Sequence, residues 1–129
     1  EALRTNMSGG RTVTQMLAEA AREVPFMSLA ELNDRIGRNS GALVILDVRE
    51  KDAYDNGHIA GAVHLPRGQL ELRTNSVLPD PTVKIITCCE FGKISTLAAA
   101  TLRDLGYMRA TALDGGMKAW SEAGYPLEQ

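Results

Sequence analysis

Val83-Lys84-Ile85-Ile86-Thr87-Cys88 runs directly into Cys89-Glu90-Phe91-Gly92-Lys93-Ile94-Ser95, and the reading of this stretch decides the fold. Its first part is apolar and branched with little alternation, the pattern of a strand covered on both faces, as in a parallel sheet. The turn Pro79-Asp80-Pro81 opens it. Gly92 lets the backbone bend tightly, and Ser95-Thr96 are helix-starting residue types. Beyond them Ile94, Leu97, Ala98, Leu102 and Leu105 recur at helical spacing until Gly106. The order is strand, tight loop, helix.

The same alternation extends in both directions. Ala42-Leu43-Val44-Ile45-Leu46-Asp47, bounded by Gly41 and charges, is a second buried strand, and Ala62 to Leu65 and Ala110 to Leu113 are shorter ones. Val13, Met16, Leu17, Ala20, Ala21 and Val24 give an opening amphipathic helix that Pro25 ends. Ser28-Leu29-Ala30-Glu31 is a capping box for a helix through Leu32 and Ile36 that stops at Gly37. A final helix after Gly115-Gly116 carries Met117 and Trp120. Strands alternating with helices give an α/β domain with a parallel sheet. Residues 11–129 are expected to form it, and residues 1–10, with Ser8-Gly9-Gly10, read as a leader.

Bulk properties narrow the function. A chain of 129 residues suits one core. Net charge of -2 and no clustered Lys/Arg argue against a nucleic-acid surface. Ala42 to Leu46 is far too short to cross a bilayer, which takes roughly 20 residues. His58 and His64 stand without a His/Cys cluster, so neither a metal nor another cofactor is expected. Cys88 and Cys89 are neighbours and cannot staple distant segments, which points to a reduced, cytoplasmic protein.

Ligands of open parallel sheets bind at strand carboxyl ends, beside helix N-termini. Cys89 occupies such a place. A tight turn there can aim several N–H groups at one point, stabilising a thiolate, a persulfide or an anion. Within the loop Lys93 is the one positive charge and Glu90 opposes it. Free cysteines are also common as inert core residues, so position alone leaves both readings open. Cys88 belongs to the strand proper and reads as structural, with a resolving thiol as the alternative.

Four segments in order resemble the rhodanese family. They are Leu46-Asp47-Val48-Arg49-Glu50, Gly57-His58-Ile59-Ala60-Gly61-Ala62-Val63-His64-Leu65-Pro66, the loop Cys89 to Ser95, and Leu113-Asp114-Gly115-Gly116-Met117-Lys118-Ala119-Trp120 with Ala123-Gly124-Tyr125-Pro126. The resemblance covers about Met27 to Pro126. It implies a three-layer α/β/α fold around a five-stranded, mostly parallel sheet, with Cys89 as nucleophile. Such enzymes carry sulfane sulfur as a Cys persulfide and pass it to a thiol, cyanide or protein acceptor. The expected partners are a small sulfur donor and a thiol or protein acceptor, for a monomer or weak homodimer. The loop residues Glu90, Phe91, Gly92, Lys93, Ile94 and Ser95 would cradle the sulfur.

Two positions depart from the family pattern, which often carries Arg where this chain has Glu90 or Ile94. Thiosulfate is a dianion, so the expectation is poor thiosulfate use and better use of less charged donors. Asp47 and Arg49 are read as a hydrogen-bonded pair shaping the rim. His58 is a candidate general base by type, and fold-stabilising by the resemblance. Trp120 is read as core and Arg67 as a surface residue. Two rivals remain. A phosphatase would need a longer loop ending in Arg, where this chain has Ser95. A non-catalytic binding module would have no chemical need of Cys89 or Gly92.

Overall fold

The computed structural model describes residues 9–38 and 43–129. Most of the expected leader, and Gly41 and Ala42, lie outside those residues. The elements are α1 (Val13–Glu23), β1 (Phe26–Met27), α2 (Leu29–Arg38), β2 (Leu43–Asp47), α3 (Lys51–Asn56), β3 (Val63–His64), a 3-10 turn (Arg67–Gln69), α4 (Leu70–Val77), β4 (Lys84–Cys88), α5 (Lys93–Asp104), β5 (Ala110–Leu113) and α6 (Gly116–Glu122). The strands form one five-stranded sheet in the order β1-β5-β4-β2-β3, and every strand pair is parallel. The expectation of a mostly parallel sheet therefore becomes an all-parallel one.

Pleating sorts the strand residues onto two faces. Leu46 and Ile85 share a core with Leu70 of α4 and with Ala98, Ala99 and Leu102 of α5. Ile45 and Ile86 face the other way, into a core with Leu32 of α2 and Met117 and Trp120 of α6. Helices thus cover both faces, giving the expected three layers. Trp120 is buried as core, its indole N–H donating to the Pro126 carbonyl at 2.9 Å.

Local signals explain most boundaries. Thr12 caps α1 in a reciprocal box with Gln15, and Val24 is extended before Pro25. The α1 helix packs against α5, so it belongs to this domain, although Val13 and Met16 of its apolar stripe remain exposed. Only half of the Ser28 box forms. Ser28 Oγ accepts from the Glu31 N–H at 3.1 Å, while the Glu31 carboxylate pairs with Arg35, and the helix continues past Gly37 to Arg38. Gly106, at φ +98, closes α5 as its N–H reaches the Arg103 carbonyl and the Tyr107 N–H reaches that of Leu102.

Candidate active site

The central strand β4 and its neighbour β2 connect onward in opposite directions, β2 through α3 to β3 and β4 through α5 to β5. Their carboxyl ends therefore meet at the switch point where ligands bind in open parallel sheets. Asp47 and Cys88 are register partners there.

Alternation sends the two neighbouring cysteines to opposite sides of the sheet. Cys88 packs with Met117 and Trp120 and is fully buried. Burial first, and the Asp47 carboxylate second, push its thiol well above the ordinary 9.0. Cys89 faces α5 and sits under the loop, 3% exposed.

The loop closes on the Cys89 sulfur. Gly92, at φ +103, turns the chain into the first turn of α5. The Gly92 N–H donates to Sγ at 3.2 Å and the Ser95 N–H at 3.1 Å. The Ser95 hydroxyl lies 3.3 Å from Sγ, accepts from the thiol, and donates to the Gly92 carbonyl at 3.1 Å. Once the thiol proton is gone, that hydroxyl is within reach to rotate and donate to sulfur. Thr87 Oγ1 donates to the Ser95 carbonyl at 2.8 Å, and Thr96 Oγ1 to that of Gly92 at 2.6 Å, which fixes the loop's far end.

The near end is held by α6. The Met117 N–H donates to the Cys89 carbonyl at 2.7 Å, and the Lys118 N–H to the Glu90 carbonyl at 2.9 Å. In a trans peptide the N–H lies opposite the C=O, so these bonds turn the Glu90 and Phe91 N–H groups away from α6. Close approach is possible because residue 116 is glycine: a Cβ there would stand 2.6 Å from the Glu90 oxygen and 2.7 Å from that of Cys89. Sequence reasoning treated Gly115-Gly116 as a helix start and as part of the family-like C-terminal segment, without a role toward the Cys89 loop. Its role lies in a contact across the sheet that no local pattern reports.

Asp47 and Arg49 form the expected pair. Arg49 Nε donates to Oδ1 at 3.0 Å and Nη2 to Oδ2 at 2.8 Å, and Nη2 also reaches the Gly57 carbonyl at 2.7 Å. Burial works against the Arg49 charge, but the Asp47 hydrogen bonds and charge outweigh it and raise the pKa. Arg49 Nη1 lies 3.4 Å from Glu90 Oε1. Lys93 is thus not the sole positive charge near the loop, as spacing along the chain suggested.

The remaining site residues divide. Phe91 and Ile94 expose 66% and 50% of their surface on the loop, offering apolar contacts beside the sulfur. Lys93 is exposed. His58 is turned to structural partners: its Nδ1–H donates to the Tyr54 carbonyl at 2.7 Å and its ring stacks on Tyr54 at 3.7 Å. Its backbone pairs with Glu128 in both directions. Those contacts engage α3 and the C-terminal segment and none reaches Cys89. Arg67 is better tied than a surface residue, donating to Glu71 at 3.0 Å and Thr101 at 3.2 Å. Among the described residues no helix is long and apolar enough to cross a membrane.

An all-parallel sheet covered by helices, with a cysteine-led loop of N–H donors at its switch point, defines the class of α/β fold. The chain belongs to the rhodanese-like domain family, whose pattern matches residues 28–123. Thiosulfate sulfurtransferase GlpE of Stutzerimonas stutzeri (strain A1501) is 38% identical over 92 residues, 70% of this chain and 80% of that protein. YrkF of Bacillus subtilis (strain 168) is 34% identical over 104 residues, 81% of this chain, and the chain spans 55% of its length. A solved structure from Rhodopseudomonas palustris CGA009, RPA3614, described as a protein of unknown function and possible tyrosine phosphatase, matches with TM-score 0.87 at 26% identity. It covers 99% of this chain and 100% of its own, α1 included.

Proposed function

We propose that this protein is a sulfurtransferase that carries sulfane sulfur as a persulfide on Cys89. The observation that carries the reading is the cradle: two N–H groups at 3.1 and 3.2 Å and a hydroxyl at 3.3 Å from Sγ. Preorganised donors of this kind favour anionic sulfur without reorganising during reaction. In the loading step the Cys89 thiolate attacks the terminal sulfur of a donor R–S–S⁻. The donor S–S bond breaks, and R–S⁻ leaves with its electron pair. In delivery an acceptor thiolate attacks the outer sulfur and the pair returns to Sγ. One difficult transfer becomes two easier ones. The acceptor is a thiol, cyanide or protein, and the setting a reducing one such as the cytoplasm, with the protein a monomer or weak homodimer.

Charge shapes donor choice. Arg49 is paired with Asp47 and faces Glu90 at 3.4 Å, so an incoming anion meets carboxylates together with that cation. A dianion such as thiosulfate gains little, so less charged donors are favoured, and Glu90→Arg should raise thiosulfate use. The phosphatase reading suggested by the description of RPA3614 lacks its essential group, since no Arg lies between Cys89 and Arg103.

The test is mass spectrometry after incubation with a sulfane donor. A gain of one sulfur, lost in Cys89→Ser and kept in Cys88→Ser, is the expected result. No gain in the wild type, or turnover of an aryl phosphate instead, overturns the reading. A non-catalytic module would show neither.

A further inference from the structure

A cleft of about 460 Å³ opens beside the loop, lined by residues of α3 and α6, by Arg49 and Glu90, and by Leu127 of the C-terminal segment. Its size is that of small-molecule sites, roughly 300–1,000 Å³. It borders the Cys89 loop, since its lining includes Glu90, the residue after Cys89, and Met117, whose N–H holds the Cys89 carbonyl.

Its charges are the informative feature. Arg49 and Lys118 supply two cations, Glu90 and Glu122 two anions, and Ala53 and Met117 apolar surface. Arg49 is nine-tenths buried, its side chain 10% exposed, and is locked by Asp47 and the Gly57 carbonyl through Nε and Nη2. Its Nη1 has only the 3.4 Å contact to Glu90, longer than the 2.7–2.9 Å of a good charge-assisted bond. A fixed cationic arm with an incompletely met partner therefore lines the cleft. Lys118 and Glu122 pair at 2.9 Å, but both are more than half exposed, and such surface pairs cost little to open.

We infer that this cleft is the subsite for a small zwitterionic thiol or persulfide, whose carboxylate sits on Arg49 Nη1 and Lys118 and whose ammonium sits on Glu90 and Glu122. The inference rests on the sulfur-transfer reading and names its substrate class. A simple anion entering the cleft meets two carboxylates, and a simple cation meets two cations. A molecule bearing both charges satisfies each set and leaves none unmatched. In the transfer, the bound acceptor's thiolate attacks the outer sulfur of the Cys89 persulfide. A new S–S bond forms, the old one breaks, and its electron pair stays on Sγ. The acceptor departs as a persulfide, with no external oxidant or reductant.

The experiment uses the persulfide-loaded chain and four thiols of similar size: L-cysteine, cysteamine, 3-mercaptopropionate and 2-mercaptoethanol. KM and kcat for sulfur removal are compared between wild type, Lys118→Met and Glu122→Gln. Each thiol is compared with itself, so differences in intrinsic nucleophilicity cancel. The expected result is a KM for L-cysteine raised roughly threefold to tenfold in both variants, the scale of one lost charge contact. 2-Mercaptoethanol should be unaffected, 3-mercaptopropionate should have its KM raised by Lys118→Met and lowered by Glu122→Gln, and cysteamine should show the reverse. Binding of S-methyl-L-cysteine, a zwitterion without a thiol, to the unloaded protein should be saturable and weakened by Lys118→Met. Equal shifts for all four thiols, or none, overturn the inference while leaving sulfur transfer intact. Failure of Cys89 to load at all overturns the reading beneath it.

Discussion

Replacing Gly116 by alanine should damage both the fold and the cradle, and the structure sets both magnitudes. Residue 116 sits at φ +69, where a side chain costs about 1–2 kcal/mol. The added Cβ would also stand 2.6 Å from the Glu90 oxygen and 2.7 Å from the Cys89 oxygen. Relief requires those carbonyls to move off the Met117 and Lys118 N–H groups, and two such bonds are worth about 1 kcal/mol each. The loss is about 3–4 kcal/mol, and the transition temperature should fall roughly 10–15 °C for a domain of this size. Gly106 provides the control. Its φ is +98, yet its Cβ would meet nothing within 4 Å, so Gly106→Ala should lose only the conformational part, about 1–2 kcal/mol. Function separates them further. Tilting the 89–90 and 90–91 peptides redirects the loop amides, and persulfide loading should slow at least about tenfold, by analogy with removal of an anion-stabilising donor. The assay is the rate at which a sulfane donor adds sulfur, followed by mass spectrometry at a temperature where both variants are folded. Wild-type loading in Gly116→Ala would refute the idea that α6 aims the loop.

Ser95→Ala keeps the backbone N–H at 3.1 Å and removes the hydroxyl at 3.3 Å. Sulfur transfer should slow roughly fivefold to tenfold, about 1 kcal/mol, and an unchanged rate in stopped-flow kinetics would remove Ser95 from the chemistry. Iodoacetamide at about pH 8 should label Cys89 and spare Cys88 until the protein unfolds. Because burial and Asp47 raise the Cys88 pKa above the ordinary 9.0 in the folded state, the unfolded thiol loses its proton first as pH rises. Folding stability should therefore decline above about pH 9, and less steeply in Cys88→Ala, as urea titrations at several pH values would reveal. Asp47→Ala and Arg49→Ala should each cost roughly 3–5 kcal/mol, because each leaves the other charge buried and unpaired. The double variant should cost less than the two together, and strict additivity in denaturant unfolding would mean the pair is not coupled.

How much was readable beforehand follows from where each signal resides. The strand Lys84–Cys88, the Gly92 turn and α5 with its Gly106 stop are contiguous in the chain, and their patterns gave the fold class and the candidate nucleophile directly. The strand Phe26–Met27 went unread because two residues between Pro25 and Ser28 carry no period. It exists through β5, whose Ala112 N–H reaches the Pro25 carbonyl and whose neighbour Asp114 reaches that of Met27. The short α3 and α4 were missed as well. α4 buries only Leu70 and Thr74 of its eight residues, too few for an apolar stripe to show. Arg49 and Gly116 lie far from Cys89 in sequence, and their hold on the loop passes through the Glu90 side chain and the Glu90 and Cys89 carbonyls.

The adjacent cysteines show how physical reading can reach further than motif. A period of two is enough to place Cys88 and Cys89 on opposite faces once their strand is recognised. What the period cannot supply is which face holds the donors. That depends on α5 covering the Cys89 side, so that its first amides meet the sulfur, while Met117 and Trp120 seal Cys88 among apolar groups. The N–H donors at one thiol and the apolar burial of its neighbour are therefore two consequences of a single strand passing between unlike layers. Exchanging the two environments would require moving a helix, not changing a cysteine.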